Sequence, residues 1–188
     1  MNPQQSAGPP GTVRIGSNRK RLFTFLGGLS ALVIVAAIFF SVIGGGGNNF
    51  TPVITIAQDQ TELIRIAKLG ATKATGQTTL NVAFNLQLSL TSAQQKLLSY
   101  LADNHIKLGT KQLALKQNAQ TTKQLSDAVA TSSFDSTFVT VIQSQLGTYA
   151  QALKTAYNTN PGPKGRQLLS AQYNGAQLLI EQSKQTAP

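Results

Sequence analysis

The stretch Leu80-Asn81-Val82-Ala83-Phe84-Asn85-Leu86-Gln87-Leu88-Ser89-Leu90 decides the fold, because it fits two templates. Taken in steps of two, Leu80, Val82, Phe84, Leu86, Leu88 and Leu90 share one face, the signature of a half-buried strand. Two arguments favour helix instead. A strand here has only Val53 to Ala57 as a candidate partner, and an isolated two-stranded sheet is marginal in water. The run also continues without Gly or Pro into Gln94-Gln95-Lys96-Leu97-Leu98-Ser99-Tyr100-Leu101, whose apolar residues recur at helical spacing. Helix is therefore the expectation, and with it an all-α domain.

Working outward, Asp59 followed by Glu62 resembles a capping arrangement, and Leu63, Ile66, Ala67, Gly70, Ala71 and Ala74 follow at spacings of three and four. The small residues among them would let a neighbouring helix approach closely. Beyond Leu101, Ile106 to Thr131 is less regular, with a short helix expected around Thr122 to Ala130. Ser132 or Ser133 is placed to cap a long helix whose face carries Phe134, Phe138, Val141, Ile142, Gln145, Tyr149, Leu153 and Ala156. Two prolines and two glycines between Asn158 and Gly165 end it. A last helix is expected from about Lys164 to Ser183, with Leu168, Ala171, Gly175, Leu178 and Leu179 turned inward. Four amphipathic segments with short connections imply an antiparallel, four-helix-bundle-like domain over residues 59–188.

Ahead of this domain lies Leu22 to Ile43, 22 residues without a charge, entered from Arg19-Lys20-Arg21. As a helix it would reach about 33 Å, enough for a hydrocarbon core of about 30 Å. Arg14, Arg19, Lys20 and Arg21 precede it, whereas Gly44 to Gln58 has no Lys or Arg, which places the N-terminus in the cytoplasm. The run is longer than a signal-peptide core, and Ser41-Val42-Ile43-Gly44 is a poor cleavage site, so an uncleaved signal anchor is expected. Residues 1–21 then form a disordered cytoplasmic tail rich in Asn, Gln, Gly, Pro and Ser, residues 22–43 a single transmembrane helix, and residues 44–58 a flexible tether opened by four glycines. The expected location is the plasma membrane, single-pass, with the C-terminal domain extracytoplasmic.

Twelve of the sixteen basic residues fall beyond the apolar run with all six acidic ones, a net charge of +6 on 145 residues. They are scattered singly, a solvated surface able to give weak contact with anionic polymers, and no specific nucleic-acid site is expected. The absence of cysteine removes disulfides, thiolate metal sites, cysteine nucleophiles and lipid-modified cysteine together.

Thr61-Glu62-Leu63-Ile64-Arg65-Ile66-Ala67, Leu97-Leu98-Ser99-Tyr100-Leu101, Phe134-Asp135-Ser136-Thr137-Phe138 and a last helix after Asn160-Pro161 give a succession that resembles a family of exported, ferritin-like bacterial helical bundles of unknown function. The likeness covers roughly residues 58–182. It implies a four-helix fold and, through histidines common on the family's second and third helices, a metal. The matching neighbourhoods here read Leu90-Thr91-Ser92 and Gln143-Ser144-Gln145, without histidine.

Direct inventory agrees with that departure. A carboxylate-bridged two-metal site draws on about four Glu and two His from facing helices, whereas this chain has Glu62, Glu181 and His105 alone. His105, in Asp103-Asn104-His105, is expected at a helix end, where its charge suits the dipole. Ser-His-Asp chemistry would depend on the same histidine, and no Gly-x-Ser-x-Gly elbow or Gly-x-x-x-x-Gly-Lys loop occurs. No catalytic, cofactor-binding or metal residue is assigned, no cofactor is expected, and the chain is not expected to be an enzyme. Tyr100, Tyr149, Tyr157 and Tyr173 all lie on expected helices, as core packing or, if clustered on one face, as a binding surface. The functional expectation is a membrane-anchored extracytoplasmic module with a binding or structural role in the cell envelope, acting through another envelope protein. The alternatives are an extracytoplasmic sensor and a polyanion-binding domain.

Overall fold

Leu80 to Leu90 is helical in the computed structural model, which describes residues 49–159 and 161–186. The expected cytoplasmic tail 1–21, the membrane anchor 22–43 and the first five residues of the tether lie outside the described residues. The described residues contain six α-helices and no strand. None of these helices is long and apolar enough to cross a membrane.

Helix α1 spans Thr51–Lys73. It begins eight residues before the capping pattern at Asp59, so the tether expected to run to residue 58 is helical from Thr51 onward. The cause is local and tertiary at once. Pro52 sits in the first turn, where its fixed φ suits a helix and its missing N–H costs nothing, and the Asn49 side-chain oxygen accepts from Thr51 N at 3.1 Å. Val53, Ile54, Ile56 and Ala57 are then buried. Asp59 therefore lies two turns inside the helix and caps nothing.

Helix α2, Gln77–Asp103, resolves the two-template stretch. Val82, Ala83, Leu86 and Leu90 are buried, while Phe84 and Leu88, members of the same alternating set, stand 56% and 74% exposed. The helix ends in a hydrogen-bonded cap in which His105 N donates to Ala102 O and Ile106 N to Leu101 O, both at 2.9 Å. His105 takes the left-handed position of that cap, φ 62°, where glycine is usual. Its place at a helix end agrees with expectation.

The segment expected to be irregular contains a short helix α3, Thr110–Leu113, a 3-10 turn, Ala114–Lys116, and helix α4, Ala119–Ala130. Asn118 caps α4, its Oδ1 accepting from Gln120 N at 2.8 Å. Helix α5, Phe134–Asn158, starts where expected, but neither serine caps it with a side chain. Ser132 instead closes α4 at φ 55°, and Ser133 Oγ pairs with Thr131 Oγ1 at 2.8 Å. The α5 core face holds every expected residue but Gln145, and adds Val139, Leu146 and Ala150.

Helix α6, Gly162–Lys184, departs more. Of the residues expected inward only Leu179 is buried; it shares the buried face with Leu169, Gln172, Ala176 and Ser183 rather than with Leu168, Ala171, Gly175 and Leu178, and Leu178 is 66% exposed. One residue of helix rotation, about 100°, separates the two stripes.

Four long helices form an antiparallel bundle, and cross-helix pairs fix its directions. Gln94 Nε2 donates to Ala57 O and Thr61 Oγ1, which sets α1 against α2. Gly70 lies under Phe138, whose ring a Cβ at that position would strike, which sets α1 against α5. Gln143 Nε2 donates to Ser183 O, and Tyr100 Oη donates to Pro161 O, which set α6 against α5 and α2. Helices α2 and α5 thus run the same way, so residues 104–133 must travel the length of the bundle. That crossover lies along α1 in matching order: Gln112 O accepts from Gln58, Lys116 meets Asp59, Asn118 N reaches Glu62 and Thr122 meets Arg65. This cover explains why Gln58 and Glu62 are buried, whereas Gln60, on another face of α1, is buried inside the bundle.

Candidate functional site

Three constellations carry polar chemistry. The first lies inside the bundle. Gln60, fully buried on α1, donates through Nε2 to Tyr149 Oη at 2.7 Å and to Gln172 Oε1 at 3.0 Å. Tyr149 Oη donates to Gln172 Oε1 at 3.2 Å, and Gln172 Nε2 donates to Ala93 O at 2.9 Å. All four long helices therefore share one buried polar tier. Burial, helped by the negative charge of Asp59, pushes the Tyr149 hydroxyl well above its usual range, so it stays protonated. Gln60 Oε1 has no partner among the described residues. The tier offers amides and a neutral phenol, which are poor acid-base groups.

The second constellation fastens the crossover. Glu62, 5% exposed, receives Arg65 Nε and Nη2, both at 2.7 Å, and Asn118 N at 3.3 Å. This forked geometry is the strong form of a charge-assisted pair. Arg65 Nη1 continues to Thr122 Oγ1 at 2.9 Å. One turn earlier Asp59 Oδ1 meets Lys116 Nζ at 2.7 Å while Oδ2 is buried with no partner among the described residues. Desolvation outweighs the lysine and holds the Asp59 carboxyl above its ordinary value. Glu62 and Asp59, which the sequence offered as a capping arrangement, together with Lys116, serve here as anchors for the crossover. Asp135, in the Phe-Asp helix start, likewise works structurally, accepting from Thr75 N at 3.0 Å and Gly76 N at 2.6 Å to hold the α1–α2 turn.

The third is a recess of about 220 Å³ between α5 and α6, lined by Leu153, Lys154, Tyr157, Leu169, Ser170 and Tyr173. Leu153 and Leu169 form an apolar floor, buried in the core. Tyr157 is 42% exposed, and the Arg166 guanidinium lies 6.0 Å from its ring centroid. A more open groove between the start of α1 and α5, lined by Thr51, Thr55, Thr148 and Ala152 among others, has no charged side chain among its described lining residues.

The four tyrosines thus divide. Tyr149 is core, Tyr100 lies against Phe50 with ring centroids 6.0 Å apart, and Tyr157 and Tyr173 meet at one recess. Sequence named all four but could not pair them, because the expected inward stripe of α6 turned Tyr173 away from α5. Glu62 and Glu181 are engaged by Arg65 and Lys184, and His105 caps α2. No group of three His, Cys, Asp or Glu that could hold a metal occurs among the described residues. No family model matches the chain, and no curated protein or solved structure is similar to it at a significant level.

Proposed function

We propose that this chain is a membrane-anchored, extracytoplasmic helical module with a binding role in the cell envelope, working through another envelope protein. The observation that carries the reading is the 22-residue uncharged run Leu22 to Ile43 behind Arg19-Lys20-Arg21. The bundle adds support. Its buried carboxylates Asp59 and Glu62 and its buried Tyr149 hold helices and crossover together, which is the economy of a scaffold that presents surfaces. The crossover joining two helical hairpins is also the connectivity of ferritin-like bundles, in keeping with the resemblance.

Protease added to intact protoplasts should digest everything beyond Gly44 and spare the first 21 residues. A photo-reactive side chain placed at Leu88 or at Leu178, 74% and 66% exposed, should cross-link the full-length chain in its own membranes to one recurring protein. Protection of the C-terminal domain from protease would overturn the topology. Adducts with lipid or with many unrelated proteins would overturn the protein-partner role.

A further inference from the structure

We propose that the recess between α5 and α6 binds one acid-bearing sugar ring, free or as a residue of an acidic glycan. This deepens the envelope-binding reading and takes from it only the compartment in which the ligand is met. The argument starts from shape. At about 220 Å³ the recess is below the roughly 300 Å³ at which drug-sized pockets begin, and it suits a single six-membered ring.

Its lining matches the two kinds of surface a sugar ring presents. Leu153 and Leu169 give a floor fixed by the core, and the Tyr157 and Tyr173 side chains give aromatic surface for the C–H side of the ring. Ser170 Oγ, both tyrosine hydroxyls and Lys154 Nζ form no hydrogen bond with another side chain or backbone group among the described residues, so a ligand displaces only water from them.

Charge selects the acid. Asp59, Glu62, Asp127 and Glu181 are paired with Lys116, Arg65, Lys123 and Lys184, and Asp135 is occupied by the Thr75 and Gly76 amides. No carboxylate among the described residues lines the recess, and Lys154 gives it a positive charge. A carboxylate or phosphate on the ring gains a charge-assisted bond to Lys154. A neutral sugar forgoes that bond, and a bare anion forgoes the aromatic walls.

The test titrates the full-length chain in detergent, reading tyrosine fluorescence, which no tryptophan masks. The probes are galacturonate, tri-galacturonate, glucose 6-phosphate, galactose and inorganic phosphate. Galacturonate and glucose 6-phosphate should saturate at least about tenfold below galactose and inorganic phosphate, a difference of about 1.4 kcal/mol. Lys154→Gln should erase that preference, and Tyr157→Ala should weaken every sugar, each with unchanged helical circular dichroism. Lys68→Gln, an exposed lysine on α1, should leave all titrations as they were. Tri-galacturonate binding tighter than the monomer assigns a glycan as the source, and equal binding assigns a free sugar. Absence of saturation by galacturonate overturns the proposal, as does equal affinity for inorganic phosphate. So does equal loss in Lys154→Gln and Lys68→Gln, which would reduce the effect to net charge. Protease topology and protein cross-linking are read separately, so either proposal can fail alone.

Discussion

Asp59 has two oxygens in different situations: Oδ1 holds Lys116 at 2.7 Å, and Oδ2 is buried with no partner among the described residues. Because burial dominates, the folded state binds the Asp59 proton more tightly than the unfolded chain does, whose carboxyl titrates near the ordinary 3.8. A raised folded value means that the unfolded state releases its proton first. Stability from this group is thus full below 3.8 and is lost as pH climbs toward the raised value. In urea melts from about pH 3 to about pH 7, the parent should therefore lose stability relative to Asp59→Asn as pH rises. Parallel curves would show that Asp59 titrates as an ordinary surface acid and that Lys116 fully offsets its burial.

At the scale of elements, the crossover from residue 104 to residue 133 is the piece least legible in sequence. Its docking rests on hydrogen bonds such as Gln58 to Gln112 and Arg65 to Thr122, between residues more than fifty apart. No periodicity reports such pairs. Val53 to Ala57 reads as tether or stray strand until the bundle buries it, whereas Leu80 to Leu90 was legible because its helical continuation lies in the adjacent sequence. Glu62 is the fastening point, so Glu62→Ala should cost about 1 to 3 kcal/mol by stranding Arg65 and the Asn118 amide. Hydrogen exchange should accelerate over residues 110–130 and hold steady in α2 and α6. A uniform rise across all four long helices would mean that the crossover is no separate unit.

For the whole molecule, the open question is why α6 presents Leu169, Gln172, Ala176 and Leu179 to the core when Leu168, Ala171, Gly175 and Leu178 make an equally periodic stripe. Apolarity alone favours the second stripe, which, together with Leu179, is the one the sequence recommends. The buried tier supplies the difference: only with Gln172 inward do Gln60 and Tyr149 find their shared acceptor, while Gln172 Nε2 reaches Ala93 O. Buried polar groups that specify register at some expense in stability are a known device, and it is invisible to hydrophobic patterning because the glutamines are recognised only by each other. Gln172→Leu alone should then destabilise by about 1 to 3 kcal/mol, since it removes the acceptor of the Tyr149 hydroxyl and of one Gln60 amide hydrogen. Adding Gln60→Leu and Tyr149→Phe should recover most of the loss while freeing α6 to turn. The chain has no cysteine, so Leu178→Cys introduces a unique thiol at a site 66% exposed. That thiol should label rapidly in the parent and several-fold more slowly in the triple variant, as residue 178 swings toward the core. Unchanged labelling would mean that the shapes of Ala176 and Leu179, rather than the polar tier, decide which face of α6 turns inward.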